Sequence, residues 1–134
     1  MREAKSASTF KGVEVGSQRV QVDLLQFADD TLFFCNPLYH NVLVIKAILR
    51  SFELVSGLRI NFHKSTVGAV RISEIDKIVY SKCLNSRQMD LPFKYLGMVI
   101  GGNPKRCEFW KPIVNKIRSR LSSCLLYTSP SPRD

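Results

Sequence analysis

Apolar and polar positions alternate from Val20 through Val22 to Leu24, with Gln21 and Asp23 between them, and this period of two predicts a strand. The strand feeds the run Leu24-Leu25-Gln26-Phe27-Ala28-Asp29-Asp30-Thr31-Leu32-Phe33-Phe34, in which two adjacent carboxylates interrupt an almost wholly apolar and aromatic stretch. Two short strands joined by a tight acidic turn fit that composition, the second spanning Thr31 to Cys35 and ended by Asn36-Pro37. The period then lengthens. Ile45, Ile48, Leu49, Phe52 and Val55 fall on one face of a helix, with Asn41 placed to cap its start and Gly57 to stop it. Leu58, Ile60 and Phe62 alternate with Arg59, Asn61 and His63, which predicts a half-buried strand running into Lys64-Ser65. A weaker helix is expected from Ser73 to Cys83, carrying Ile75, Ile78 and Val79 and closing in Asn85-Ser86-Arg87. Pro92 opens a strand-like run from Phe93 to Ile100, closed by Gly101-Gly102-Asn103-Pro104. Trp110, Ile113, Val114, Ile117 and Leu121 then recur at helical spacing, while Lys111, Lys116, Arg118 and Arg120 take much of the remaining surface of that helix. Ahead of all this, Met1 to Phe10 is polar and small, without either period, and reads as a frayed lead-in.

Composition narrows the class. The chain has the length of one modest domain, and no apolar run approaches a membrane span, so no membrane partner is expected. A net charge of +9 on 134 residues favours a polyanionic partner, nucleic acid first among them, although a solvated basic surface gives the same sign. Cys35, Cys83, Cys107 and Cys124 show no paired close spacing, which suggests neither a zinc site nor a disulfide framework and fits a reducing intracellular setting, nuclear or cytoplasmic. His40 and His63 are isolated and read as surface or loop residues.

The sharpest chemistry belongs to Asp29-Asp30. Two carboxylates held close repel each other, so they take up a proton or bind a cation, and magnesium prefers such oxygen ligands. The plainer reading is that Asp-Asp simply makes a good hairpin turn.

Three stretches in order bear on that choice: Phe27-Ala28-Asp29-Asp30-Thr31, then Ser56-Gly57-Leu58-Arg59-Ile60-Asn61 with Lys64-Ser65, then Leu91-Pro92-Phe93-Lys94-Tyr95-Leu96-Gly97. Together they closely resemble the reverse transcriptase of LINE-type, non-LTR retrotransposons, especially plant ones, over residues 13 to 122. The resemblance implies that Asp29 is a direct ligand of the catalytic magnesium ions of a polymerase palm and that Asp30 shapes the turn and its field. Two Mg²⁺ ions are expected in the intact polymerase, serving nucleotidyl transfer. Lys64 is then a candidate general acid near the leaving pyrophosphate. Tyr95, Leu96 and Gly97 would form the primer grip, Tyr95 being otherwise a core aromatic. Lys111, Lys116, Arg118 and Arg120 would lie where the thumb begins and meet the template–primer duplex. The implied partners are an RNA template, a DNA primer and deoxynucleoside triphosphates.

Two departures qualify the match. The family's palm carries another metal-binding aspartate upstream, with a nucleotide-selecting segment and fingers, for which the lead-in has no room. At the other end, Cys124 to Asp134 matches the translation of a transposase-end adapter used in sequencing libraries, so it is set aside from fold reasoning. The expected architecture is α+β. It comprises a disordered lead-in at 1–12, the C-terminal half of a polymerase palm at 13–104 with an antiparallel hairpin backed by helices and a primer-grip hairpin, and the first thumb helix at 105–123. The alternative to a polymerase fragment is a non-catalytic nucleic-acid-binding remnant, or a relic reading frame without function.

Overall fold

The structure, a computed structural model, describes residues 1–7 and 9–127. It is α+β, with small two-stranded sheets and helices falling into two compact units, one ending at Met89 and the other starting at Asp90.

The first unit opens with a short helix α1 (Arg2–Ser6) and a hairpin of β1 (Val13–Val15) and β2 (Val20–Val22). The alternation expected to make one strand is split at Asp23, and a second hairpin follows, β3 (Leu24–Phe27) with β4 (Asp30–Phe33). Asp23 leaves the ladder to accept the Phe34 N–H at 2.9 Å, which ties the end of the second hairpin to its beginning. Helix α2 (Tyr39–Ser56) comes next and ends at Gly57, whose φ of 71° is the left-handed stop that glycine adopts without strain. Its start differs from expectation. The N-cap is Leu38, which makes no side-chain cap bond, and Asn41 is instead the most deeply buried polar side chain, 2 % exposed. Its Oδ1 accepts the Lys11 N–H at 3.2 Å, and its Nδ2 donates to the Asn36 and Lys11 carbonyls at 3.0 and 3.4 Å. The amide therefore staples the lead-in to the helix, because two turn segments there need donors and acceptors that no sheet supplies. Where a frayed lead-in is expected, Phe10 is buried and the Thr9 carbonyl lies 2.7 Å from His40 Nε2.

Helix α3 (Glu74–Cys83) starts as its sequence suggests, with the Ser73 hydroxyl accepting the Asp76 N–H at 3.0 Å. It packs against α2 and against a parallel pair of two-residue strands, β5 (Thr66–Val67) and β6 (Arg87–Gln88). The strand expected over 58–63 does not form. No neighbouring strand offers it a ladder; Ile60 donates its N–H to the Glu53 carboxylate at 2.9 Å, and the Lys64 and Ser65 N–H groups turn back onto Asn61. Buried apolar side chains among the described residues are Phe10, Val42, Ile45 and Tyr80, so the apolar face of α2 is covered only near its N-terminal half. Phe52 and Val55, expected on that face, are open to solvent, Val55 at 89 %.

The second unit is a hairpin and a helix. Strands β7 (Phe93–Tyr95) and β8 (Met98–Ile100) pair antiparallel around Leu96-Gly97, so the run expected as strand-like folds back on itself. Helix α4 (Cys107–Tyr127) packs on β8, and a Cβ at Gly102 would meet the Phe109 ring at 2.8 Å, which is why the loop there carries no side chain. The Trp110 indole N–H donates to the Pro104 carbonyl at 2.8 Å and fixes the first turn of the helix. The segment 124–134, set aside on sequence, enters α4 through Tyr127, and its remainder lies outside the described residues.

Candidate functional site

In the first unit the β3–β4 ladder is closed by the pair Phe27 and Asp30, leaving Ala28-Asp29 as a two-residue turn. Ala28 takes a positive φ of 53°. That places Asp29 at the tip and Asp30 on the first rung, sharing a face with Phe27, Leu25 and Leu32. Both aspartates are exposed, as is Phe27 at 58 %. Lys64 lies in an exposed turn over 62–64 rather than at a strand end, and among the described residues no ion pair joins it to either carboxylate.

The carboxylates offer oxygen donors of the kind magnesium takes, but among the described residues no three His, Cys, Asp or Glu side chains converge. An octahedral ion at Asp29 and Asp30 therefore needs further ligands from water, substrate or another part of the protein.

In the second unit, Leu96 and Gly97 have φ of 52° and 79°, the pattern of a type I′ hairpin turn. Tyr95 is half-buried, and its hydroxyl is buried without a hydrogen-bond partner among the described residues. Lys116 reaches back from α4 and sets its Nζ against the turn, where a Cβ at Gly97 would collide with it. Lys116, a candidate contact to the template–primer duplex, thus packs on the hairpin turn of its own unit.

The four basic residues of α4 are all exposed but do not form one rail. At 3.6 residues per turn, Lys111 and Arg118 lie along one edge of the Trp110, Val114, Ile117 and Leu121 stripe, and Lys116 and Arg120 along the other. That stripe is itself open, each of its four side chains being about half exposed.

A second basic cluster in the first unit is absent from the sequence reading. Arg50, Arg59, Lys82 and Arg87 line one groove of about 1160 Å³ formed by the end of α2, the loop that follows it and the turn after α3. They are scattered along the chain, so no local run marks them; the net charge of +9 was the one available signal.

Comparison of the chain with protein-family profiles, with curated proteins and with solved structures finds no match.

Proposed function

We propose that this chain is a segment of the RNA-directed DNA polymerase of a non-LTR retrotransposon, comprising part of its palm and the start of its thumb. The observation that carries the reading is the adjacent aspartate pair at the tip of an antiparallel hairpin between apolar strands, with Asp29 in the turn itself. Two features support it: the glycine-stopped helix followed by the Lys64 turn, and the tight Tyr95-Leu96-Gly97 hairpin ahead of a basic helix. The open apolar positions Phe27, Phe52 and Val55 are what part of a palm shows when sheet and helices that would cover them belong to other segments.

In the intact polymerase Asp29 and Asp30 would hold magnesium, which would lower the pKa of the primer hydroxyl and offset charge on the triphosphate. Lys64 would place an ammonium near the leaving pyrophosphate, and the Tyr95–Gly97 turn would position the primer end. The substrates are deoxynucleoside triphosphates, with an RNA template and a DNA primer as partners.

A second reading, a nucleic-acid-binding protein without catalysis, rests on the net charge of +9 and on the exposed Lys111, Lys116, Arg118 and Arg120. One experiment separates the two. In a complete polymerase built around residues 13–123, Asp29→Asn is expected to abolish primer extension while template–primer binding persists, and Lys64→Leu to slow the single-turnover rate more than it weakens nucleotide binding. Template–primer binding without any extension by the unsubstituted enzyme would leave the binding protein as the reading, and unaltered extension by the Asp29→Asn enzyme would remove the metal role from Asp29.

A further inference from the structure

The groove in the first unit brings cations and aromatic side chains together on one open surface. Arg50, Arg59, Lys82 and Arg87 contribute positive charge, and Glu53 is the acidic residue among them. Glu53 is already engaged. It is only 16 % exposed, accepts the Ile60 N–H at 2.9 Å and lies 3.8 Å from Arg50. Arg59, Lys82 and Arg87 have no carboxylate partner among the described residues. Cations converging in this way hold a layer of counterions, and a polyphosphate that displaces those ions gains their release as binding free energy.

Phe62 and His63 line the same groove, and the Asn61 and Asn85 side chains stand beside them. Rings next to guanidinium groups suit bases that are unstacked and can lie on them, whereas an acidic polypeptide would satisfy the cations and leave the rings unused. At about 1160 Å³ the groove is also larger than one nucleotide requires.

We infer that this groove binds a single-stranded stretch of nucleic acid, with Arg59, Lys82 and Arg87 on its phosphates and Phe62 and His63 against its bases. Glu53 acts as a positioning residue, because its bond to Ile60 N–H sets the course of the loop that carries Arg59 and Phe62. The site uses none of the residues assigned to polymerisation, so it holds or fails independently of that activity.

The test uses the full chain and a fluorescein-labelled oligouridine of about 12 nucleotides, followed by anisotropy across a salt series. Arg59→Gln combined with Arg87→Gln is expected to weaken binding about tenfold at low salt and to make the slope of log K against log salt shallower by about 1.4, roughly 0.7 for each lost phosphate contact. Photocrosslinking of the wild-type chain to the same oligomer containing 4-thiouridine provides a readout that no folding defect can confuse, and the crosslinked peptides are expected to cover residues 58–63 or 82–87. Crosslinks confined to α4, or an unchanged affinity and slope in the double variant, would overturn the assignment. So would equal displacement of the oligouridine by polyglutamate of the same length, which would make the groove a site for an acidic protein segment.

Discussion

Tyr80 shows how one residue ties several elements together. Its hydroxyl donates to the Pro37 carbonyl at 3.1 Å, its ring stacks on Tyr39 with centroids 6.3 Å apart, and it is one of the few buried apolar side chains among the described residues. Burial, with smaller contributions from the Asp76 carboxylate and from Cys35, raises its pKa above the ordinary tyrosine value. A raised pKa means that the folded chain holds the phenol proton more tightly than the unfolded chain does. Tyr80 therefore contributes its full stability below about pH 10, the unfolded value, and loses it as the pH climbs beyond that. Burial also raises the Cys35 thiol, so a similar loss with the same sign begins earlier, above about pH 8.5. Tyr80→Phe is expected to cost about 1 kcal/mol at neutral pH, through the lost bond to Pro37, and to abolish only the fall above pH 10. Urea unfolding of both chains at neutral pH and at successive values above 10 measures this; parallel decline of the two would show that the phenol is not held neutral.

Among the elements, the β7–β8 hairpin is the one whose turn and sequence disagree most. Both central residues of a type I′ turn take positive φ, which suits Gly97 but not Leu96, at 52°. Leu96→Asn is expected to stabilise the second unit by about 1 kcal/mol, since asparagine tolerates the left-handed region. Gly97→Ala should do the reverse, because its Cβ meets both the positive φ and the Lys116 ammonium. Thermal unfolding followed by the Trp110 fluorescence reads both changes, and a Leu96→Asn chain that melts lower would contradict the turn assignment. Where a single residue decides a boundary, that boundary is legible in sequence: Gly57 stops α2, Ser73 caps α3, and the aspartate turn lies where its flanking strands require. Legibility ends where a partner decides. Leu58, Ile60 and Phe62 alternate like a strand, but with no ladder beside them the backbone bonds to Glu53 instead. Asn41 has the composition of a cap, yet a tertiary need for three hydrogen bonds claims it. The β5–β6 pair has two residues a side, too short for any period to announce it. The candidate site divides in the same way, the aspartate turn and grip hairpin being local features, whereas the Arg50, Arg59, Lys82 and Arg87 groove exists only once α2 and α3 are packed.

On the scale of the whole molecule, positive charge and open apolar surface set what the chain does by itself. Asp29 and Asp30 are solvent-exposed at a hairpin tip, and no third ligand converges on them among the described residues. Magnesium demands near-octahedral geometry and surrenders its waters reluctantly, so on the proposed reading these two carboxylates alone would hold it loosely. Loose ions contribute little, because their catalytic value lies in fixed positions from which developing charge is stabilised without reorganisation. Binding is less demanding. A net charge of +9, displayed on α4 and in the groove of the first unit, attracts phosphates wherever they approach. The 134-residue chain, purified alone, is therefore expected to bind RNA and single-stranded DNA weakly, with an affinity that falls steeply as salt is raised, and not to extend a primed RNA template. Primer-extension assays with magnesium, run beside anisotropy titrations on the same preparation, distinguish the two properties. Extension by the isolated chain that disappears with Asp29→Asn would mean that the remaining ligands are supplied within the chain, by residues brought to the turn when template and nucleotide bind.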